Sequence, residues 1–153
     1  MANTYTQLNI HAVFATLGRE NVLPKNLRPR IFEYITGLIK GVGSYPLAVN
    51  GYQDHVHVFF EIPPDISVSK ALQEIKANSS GWLNTSKLLP GRFLWQSGFG
   101  AFSYSRSQRN EVIQYILNQE VHHQKKTFKE EYLSYLQKFE IEYNPEYLFE
   151  FYE

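Results

Sequence analysis

The stretch from Tyr45 to Pro64 leaves this chain few ways to fold. Two runs of strand character, Tyr45 to Gly51 and His55 to Ile62, are separated only by Tyr52 to Asp54. Pro63-Pro64 stops the second, so the pair reads as a hairpin. Within the second run the two-residue period sends Val56, Val58, Phe60 and Ile62 to one face. His55, His57, Phe59 and Glu61 go to the other. The first set suits burial under helices, and the second puts two imidazoles side by side on the opposite face of the sheet.

The remaining elements follow from pattern and punctuation. Tyr5 to Ala15 alternates, with Leu8, Ile10, Ala12 and Phe14 on one side and Gln7, Asn9, His11 and Val13 on the other. After a turn at Gly18 to Asn21, Pro24 opens a helix whose apolar positions are Leu27, Ile31, Ile35, Leu38 and Ile39, ending at Gly41 and Gly43. Ser67 or Ser69 caps a second helix through Leu72, Ile75, Trp82 and Leu83, which Pro90-Gly91 closes. Phe93 to Gln96 and Ala101 to Ser105 read as one strand broken at Ser97-Gly98. Two helices, about 108–124 and 128–139, precede an aromatic, acidic end from Tyr143 to Glu153. This order predicts an α+β, ferredoxin-like βαββαβ antiparallel sheet with appended C-terminal helices. Its strand order sets the first strand beside the third, and so His11 beside His55 and His57.

At 153 residues, 43% apolar and 16% aromatic, a single domain with a proper core is expected: a body of about 5–126 and a helical, acidic tail of about 127–153. Cysteine is absent, which fits a reducing cytoplasm and removes thiolate metal sites and cysteine nucleophiles. No run suits a membrane span, and Met1 to Gln7 lacks the make-up of a secretory signal. Net charge is zero, yet residues 1–110 carry eleven Lys and Arg against six Asp and Glu, whereas 111–153 carry four against nine. The basic body permits a nucleic-acid partner without requiring one.

Two neutral imidazoles on one strand can bind one divalent ion, and His11 and Asp54 flank them. The competing reading is a pair of solvated histidines on an open sheet face. In the helix 108–124, Val112, Ile113, Ile116, Leu117 and Val121 form the apolar stripe. Tyr115 points roughly 150° from its centre and shares the polar side with Glu111, Gln119 and His122. A tyrosine serving only as core filler belongs on the stripe; a surface or interface tyrosine remains open. His122 and His123, about 100° apart on a helix, read as surface or DNA-facing residues without catalytic duty.

Asp54 with His55-Val56-His57, the segment Trp95-Gln96-Ser97-Gly98-Phe99-Gly100-Ala101-Phe102-Ser103, and Tyr115-Ile116-Leu117-Asn118-Gln119 together resemble the single-tyrosine HUH transposases, REP-associated tyrosine transposases among them. Those enzymes move compact bacterial insertion sequences as single-stranded DNA. His11 to Thr16 and Ala48 to His57 are similar too, so the likeness spans about residues 5–126. It implies His55, His57 and Gln119 as ligands of Mg²⁺ or Mn²⁺ and Tyr115 as the nucleophile. It also implies a bacterial cytoplasmic homodimer, with the tyrosine helix acting in trans on hairpin-ended single-stranded DNA.

Physical chemistry makes that allocation workable. A free phenol titrates near 10 and is a poor nucleophile at neutral pH, and a divalent cation on the scissile phosphate offsets this. Arg19, Lys25, Lys70, Lys76, Arg92, Arg106 and Arg109 are candidate phosphate contacts, and Phe59, Phe99 or Phe102 candidate stacking faces for an unpaired base. Two rival functions fit the same fold. One is a hairpin-binding module without catalysis, although Gly98 to Tyr104 departs from the RNA-recognition motif in its leading residue and its place after the second helix. The other is a small phosphodiesterase built on His11, His55 and His57.

Overall fold

The computed structural model describes residues 3–18 and 22–152. The elements run β1 (Asn9–Ala15), α1 (Arg28–Gly41), β2 (Tyr45–Gly51), β3 (His55–Glu61), α2 (Val68–Ser86), β4 (Gly100–Tyr104), α3 (Arg109–Leu117), α4 (Gln119–His122) and α5 (Phe128–Lys138). The strands make one antiparallel sheet in the order β2-β3-β1-β4, the ferredoxin-like arrangement. No helix among the described residues is long and apolar enough to cross a membrane.

Local sequence explains most boundaries. Ser67 accepts a hydrogen bond from the Lys70 amide at 3.0 Å and so caps α2, and the left-handed Lys87 ends it. Of the expected first strand, only Asn9 onward pairs, and Tyr5 to Leu8 lie exposed. The first helix starts at Arg28, after a turn in which the Leu27 amide donates to the Pro24 carbonyl. The broken strand reduces to β4 plus a single bridge between Thr16 and Trp95. Of the turn expected at Gly18 to Asn21, all but Gly18 falls outside the described residues, the side chain of Arg19 included.

The sheet is buried on both faces. On one, Ala12, Phe14, Val56, Val58 and Phe60 pack under Ile31, Ile35 and Ile39 of α1 and Leu72 and Ile75 of α2. Each Val, Ile, Leu or Phe side chain among them contributes about 1.5–3 kcal/mol on leaving water. The opposite face, where solvated histidines were the competing expectation, is covered as well. Val13, Ala15 and Phe102 pack under Phe128, Tyr132, Tyr135 and Leu136 of α5. Phe59 and Ala48 pack under Val112 and Ile116 of α3. The acidic tail belongs to this second core: Phe149 packs on Phe128 and Tyr132, and the Gln96 side chain holds the Glu150 backbone at both its amide and its carbonyl.

The last long helix departs from its expected course. It breaks at Asn118, between α3 and α4, and its buried face runs through Val112, Ile116 and Gln119. Leu117 and Val121, expected on the buried stripe, are about half exposed, while Gln119 is fully buried. Asn50 of β2 secures the break, its Nδ2 donating to the carbonyls of Ile116 at 2.9 Å and Leu117 at 3.1 Å. Those carbonyls lack partners in their own helix, so an amide donor from the sheet satisfies them.

Candidate metal and nucleophile site

Register brings the histidines together. Val13 pairs with His57 and His11 with Phe59, so His11 is the diagonal neighbour of His57 across β1 and β3. Their Nε2 and Nδ1 atoms lie 2.7 Å apart. His55 Nδ1 lies 2.7 Å from Asp54 Oδ1. His11, His55 and His57 are all fully buried.

Opposite them stands Glu131 of α5. Its Oε1 is 3.1 Å from His57 Nε2, 3.4 Å from His55 Nε2 and 3.3 Å from His123 Nε2. Its Oε2 accepts from the Tyr115 hydroxyl and, at 2.9 Å, from Gln119 Nε2. The Gln119 carbonyl oxygen lies 3.1 Å from His55 Nε2 and 2.9 Å from His123 Nε2. Four of the residues singled out in the sequence, His55, His57, Tyr115 and Gln119, therefore converge on one point within a single chain.

Two members of the cluster were not foreseen. His123 was expected on the surface, yet its side chain is 2% exposed, because it lies one turn after the buried Gln119, on the face that also carries Val112 and Ile116. Its neighbour His122 sits at the rim, 3.4 Å from the Tyr115 hydroxyl. Glu131 lies in the tail of about 127–153, beyond the residues over which the likeness runs. A signal was present: Phe128, Tyr132, Tyr135 and Leu136 form the buried stripe of α5, and Glu131 falls within it. A carboxylate on an apolar stripe is buried only with partners.

The electrostatics follow from these contacts. Burial disfavours charge on His55, but the Asp54 and Glu131 carboxylates outweigh it and push its pKa up to about 9. His57 lacks the second carboxylate, and there burial wins and lowers the pKa. His11 is held well below its ordinary value by burial and by His57. Burial would raise the Glu131 carboxyl, yet the surrounding imidazoles His57, His123 and His55 hold it below the usual carboxylate range. Tyr115 is pushed well above the ordinary phenol value by burial and by the Glu131 charge. Tyr115 is thus a neutral phenol whose ionisation beside Glu131 calls for added positive charge.

The donor set suits a divalent cation: one ligand atom from each of His55, His57, His123 and Glu131 lies within 4.8 Å of all the others. A cleft of about 310 Å³, lined by Tyr104, Glu111, Tyr115, His122, Tyr135 and Lys138 among others, leads from solvent to Tyr115.

The expected DNA contacts fare unevenly. Lys25 pairs with Glu120 and Lys70 with Glu74, all largely exposed, while Arg92 and Arg106 are exposed. Lys76 donates to the carbonyls of Gln96 and Gly98, and Arg109 is tied to Glu61 at 2.7 Å and to Asn9. Phe59 and Phe102 offer no face to a base: both are buried, and Phe102 stacks on Tyr135 and Phe139. Phe99 is half-buried against the first core.

An open antiparallel α+β sheet of this order is shared with solved transposases. A candidate transposase from Deinococcus radiodurans aligns with a TM-score of 0.61 at 21% identity, over 76% of this chain and 94% of that one. The REP-associated tyrosine transposase bound to a REP hairpin aligns with a TM-score of 0.58 at 17% identity, over 79% and 72%. At these identities the likeness is one of fold. No curated protein matches the sequence significantly. The model of the IS200-like transposase family matches residues 4–119, and the chain belongs to that family.

Proposed function

We propose that this protein cleaves and rejoins single-stranded DNA at hairpin-flanked ends through a covalent phosphotyrosine. The observation that carries this reading is the convergence of the Tyr115 hydroxyl with His55, His57 and Gln119 around one buried carboxylate. Tyr115 Oη attacks the scissile phosphorus, and its proton leaves along the hydrogen bond to Glu131. The bond from phosphorus to the 3′ oxygen breaks, and that oxygen takes a proton from solvent to become a free 3′-hydroxyl. The 5′ phosphate stays on Tyr115. Because the ester keeps the bond energy, attack by another 3′-hydroxyl reverses the step and joins strands without ATP.

His55 and His57 would hold Mg²⁺ or Mn²⁺, with the Gln119 amide oxygen as a third donor. The ion would supply positive charge where phosphate and phenolate charge develops. The protein's own part is to bury the nucleophile, hold its proton on Glu131 and orient both imidazoles through Asp54 and His11. The resemblance implies a homodimer that exchanges tyrosine helices. The geometry favours the chain's own tyrosine, since Tyr115 hydrogen-bonds the same Glu131 carboxylate that His57 of its own sheet faces.

The test is incubation with labelled single-stranded hairpin DNA and Mn²⁺, followed by denaturing electrophoresis. Wild type should form a protein–DNA adduct that survives SDS, and Tyr115→Phe and His57→Ala should form none. An adduct with Tyr115→Phe, or none with wild type on any element-end hairpin, overturns the reading. Multiple turnover without adduct favours a phosphodiesterase, and binding without cleavage favours a hairpin-binding module.

A further inference from the structure

The geometry points to Glu131 and His123, with His55 and His57, as a four-ligand site for a zinc-class transition metal, completed in cis by the C-terminal helix α5. The inference rests on the proposed metal-binding site and puts Glu131 and His123 in the ligand set in place of Gln119.

Three observations support it independently of the resemblance. The first is spacing. Donors about 2.0–2.1 Å from a tetrahedral centre lie about 3.3 Å from one another. Glu131 Oε1 lies 3.1, 3.4 and 3.3 Å from the Nε2 atoms of His57, His55 and His123. The carboxylate oxygen therefore stands at the edge length of such a tetrahedron from three imidazole nitrogens, which themselves lie within 4.8 Å of one another.

The second is orientation. Each of the three imidazoles has its Nδ1 engaged away from the centre: His55 with Asp54 Oδ1 at 2.7 Å, His57 with His11 Nε2 at 2.7 Å and His123 with the Lys126 carbonyl at 2.8 Å. An outer partner on Nδ1 fixes the tautomer that presents the Nε2 lone pair inward, as metal-ligating histidines require. The same arrangement accounts for an orphan. If His57 donates Nδ1–H to His11 Nε2, then His11 carries its proton on Nδ1, which is buried with no partner.

The third is the donor chemistry. Three imidazoles and one carboxylate suit Zn²⁺, Co²⁺ or Mn²⁺, whereas Mg²⁺ favours oxygen donors and keeps several waters. Gln119 serves the set through its Nε2, which donates to Glu131 Oε2 at 2.9 Å and turns Oε1 inward. Four-coordinate sites of this class expand to five, which leaves room for one phosphate oxygen.

The experiment is titration of chelator-treated full-length protein with Zn²⁺ by competition calorimetry, and with Co²⁺ by visible absorption. One ion should bind per chain, far more tightly than Mg²⁺, and Co²⁺ should give the intense bands of a tetrahedral site. Glu131→Gln keeps the side chain's shape, and with His123→Ala it should weaken Zn²⁺ binding by more than about 100-fold, beyond the loss expected for an outer partner. Both should also collapse the tetrahedral Co²⁺ bands. Near-UV circular dichroism establishes that each variant is folded, and Glu131→Asp replaces any that is not. If Glu131→Gln and His123→Ala bind as wild type does while His57→Ala and Gln119→Ala do not, the four-ligand set is wrong and the three-ligand reading stands. If wild type binds no ion, the inference falls, and the DNA adduct assay separately decides the fate of the nucleophile.

Discussion

Asp54 Oδ1 lies 2.7 Å from His55 Nδ1, so the residue before the histidine pair orients its first member. His11 stands in the same relation to His57. Losing an outer partner of a metal-ligating histidine costs about 10–100-fold in metal affinity. Asp54→Ala and His11→Phe should each weaken divalent-metal binding within that range, and calorimetry on the folded variants checks it. Affinity equal to wild type in both would show that neither contact orients a ligand.

Because Tyr115 bonds the same Glu131 carboxylate that His55 and His57 of its own chain face, one polypeptide should suffice for cleavage. A mixture of Tyr115→Phe with His57→Ala should therefore form no more DNA adduct than either variant alone. Rescue in the mixture, seen on a denaturing gel, would show that tyrosine helices are exchanged between subunits.

Stability of the metal-free protein should fall on either side of a maximum near pH 6.5. His55 is raised from its unfolded value near 6.5 to about 9. Its contribution is therefore complete below pH 6.5 and is lost as pH rises through 9, amounting to about 3 kcal/mol at most. His11 and His57 are lowered, so folding keeps them neutral, and stability is lost as pH falls below 6.5. Urea denaturation in chelator from pH 5 to 10 measures both limbs, and Asp54→Asn should flatten the alkaline one.

Gly51 closes the β2–β3 turn so tightly that an added Cβ would stand 2.3 Å from the His55 carbonyl oxygen. That oxygen is backbone and accepts from the Tyr52 amide, so it cannot swing aside. Gly51→Ala should destabilise the fold by about 1–3 kcal/mol and weaken metal binding by displacing His55. Thermal unfolding and calorimetry together check the pair of effects; a change in stability alone would separate the turn from the site.

The hairpin, the first core and the placement of His55 and His57 side by side on the other sheet face were legible because period-two and period-3.6 patterns are local properties of the chain. The strand order followed from the element order, and it correctly placed His11 beside them. The stripe of the helix carrying Tyr115 was centred too far toward Leu117 and Val121, which misplaced those two and His123, and the helix was read as continuous where it breaks at Asn118. Nothing in residues 115–119 announces the break, which Asn50, sixty-odd positions upstream, holds from the sheet.

The sequence by itself determined which strand faces exist and which side chains each presents, because alternation is built into an extended backbone. Only the tertiary structure decided that the second face is closed by α3 and α5, and that Glu131 stands among the histidines. Burial makes that decision: a carboxylate on the stripe of α5 can leave water only where charged or hydrogen-bonding partners await it, and three imidazoles, an amide and a phenol supply them.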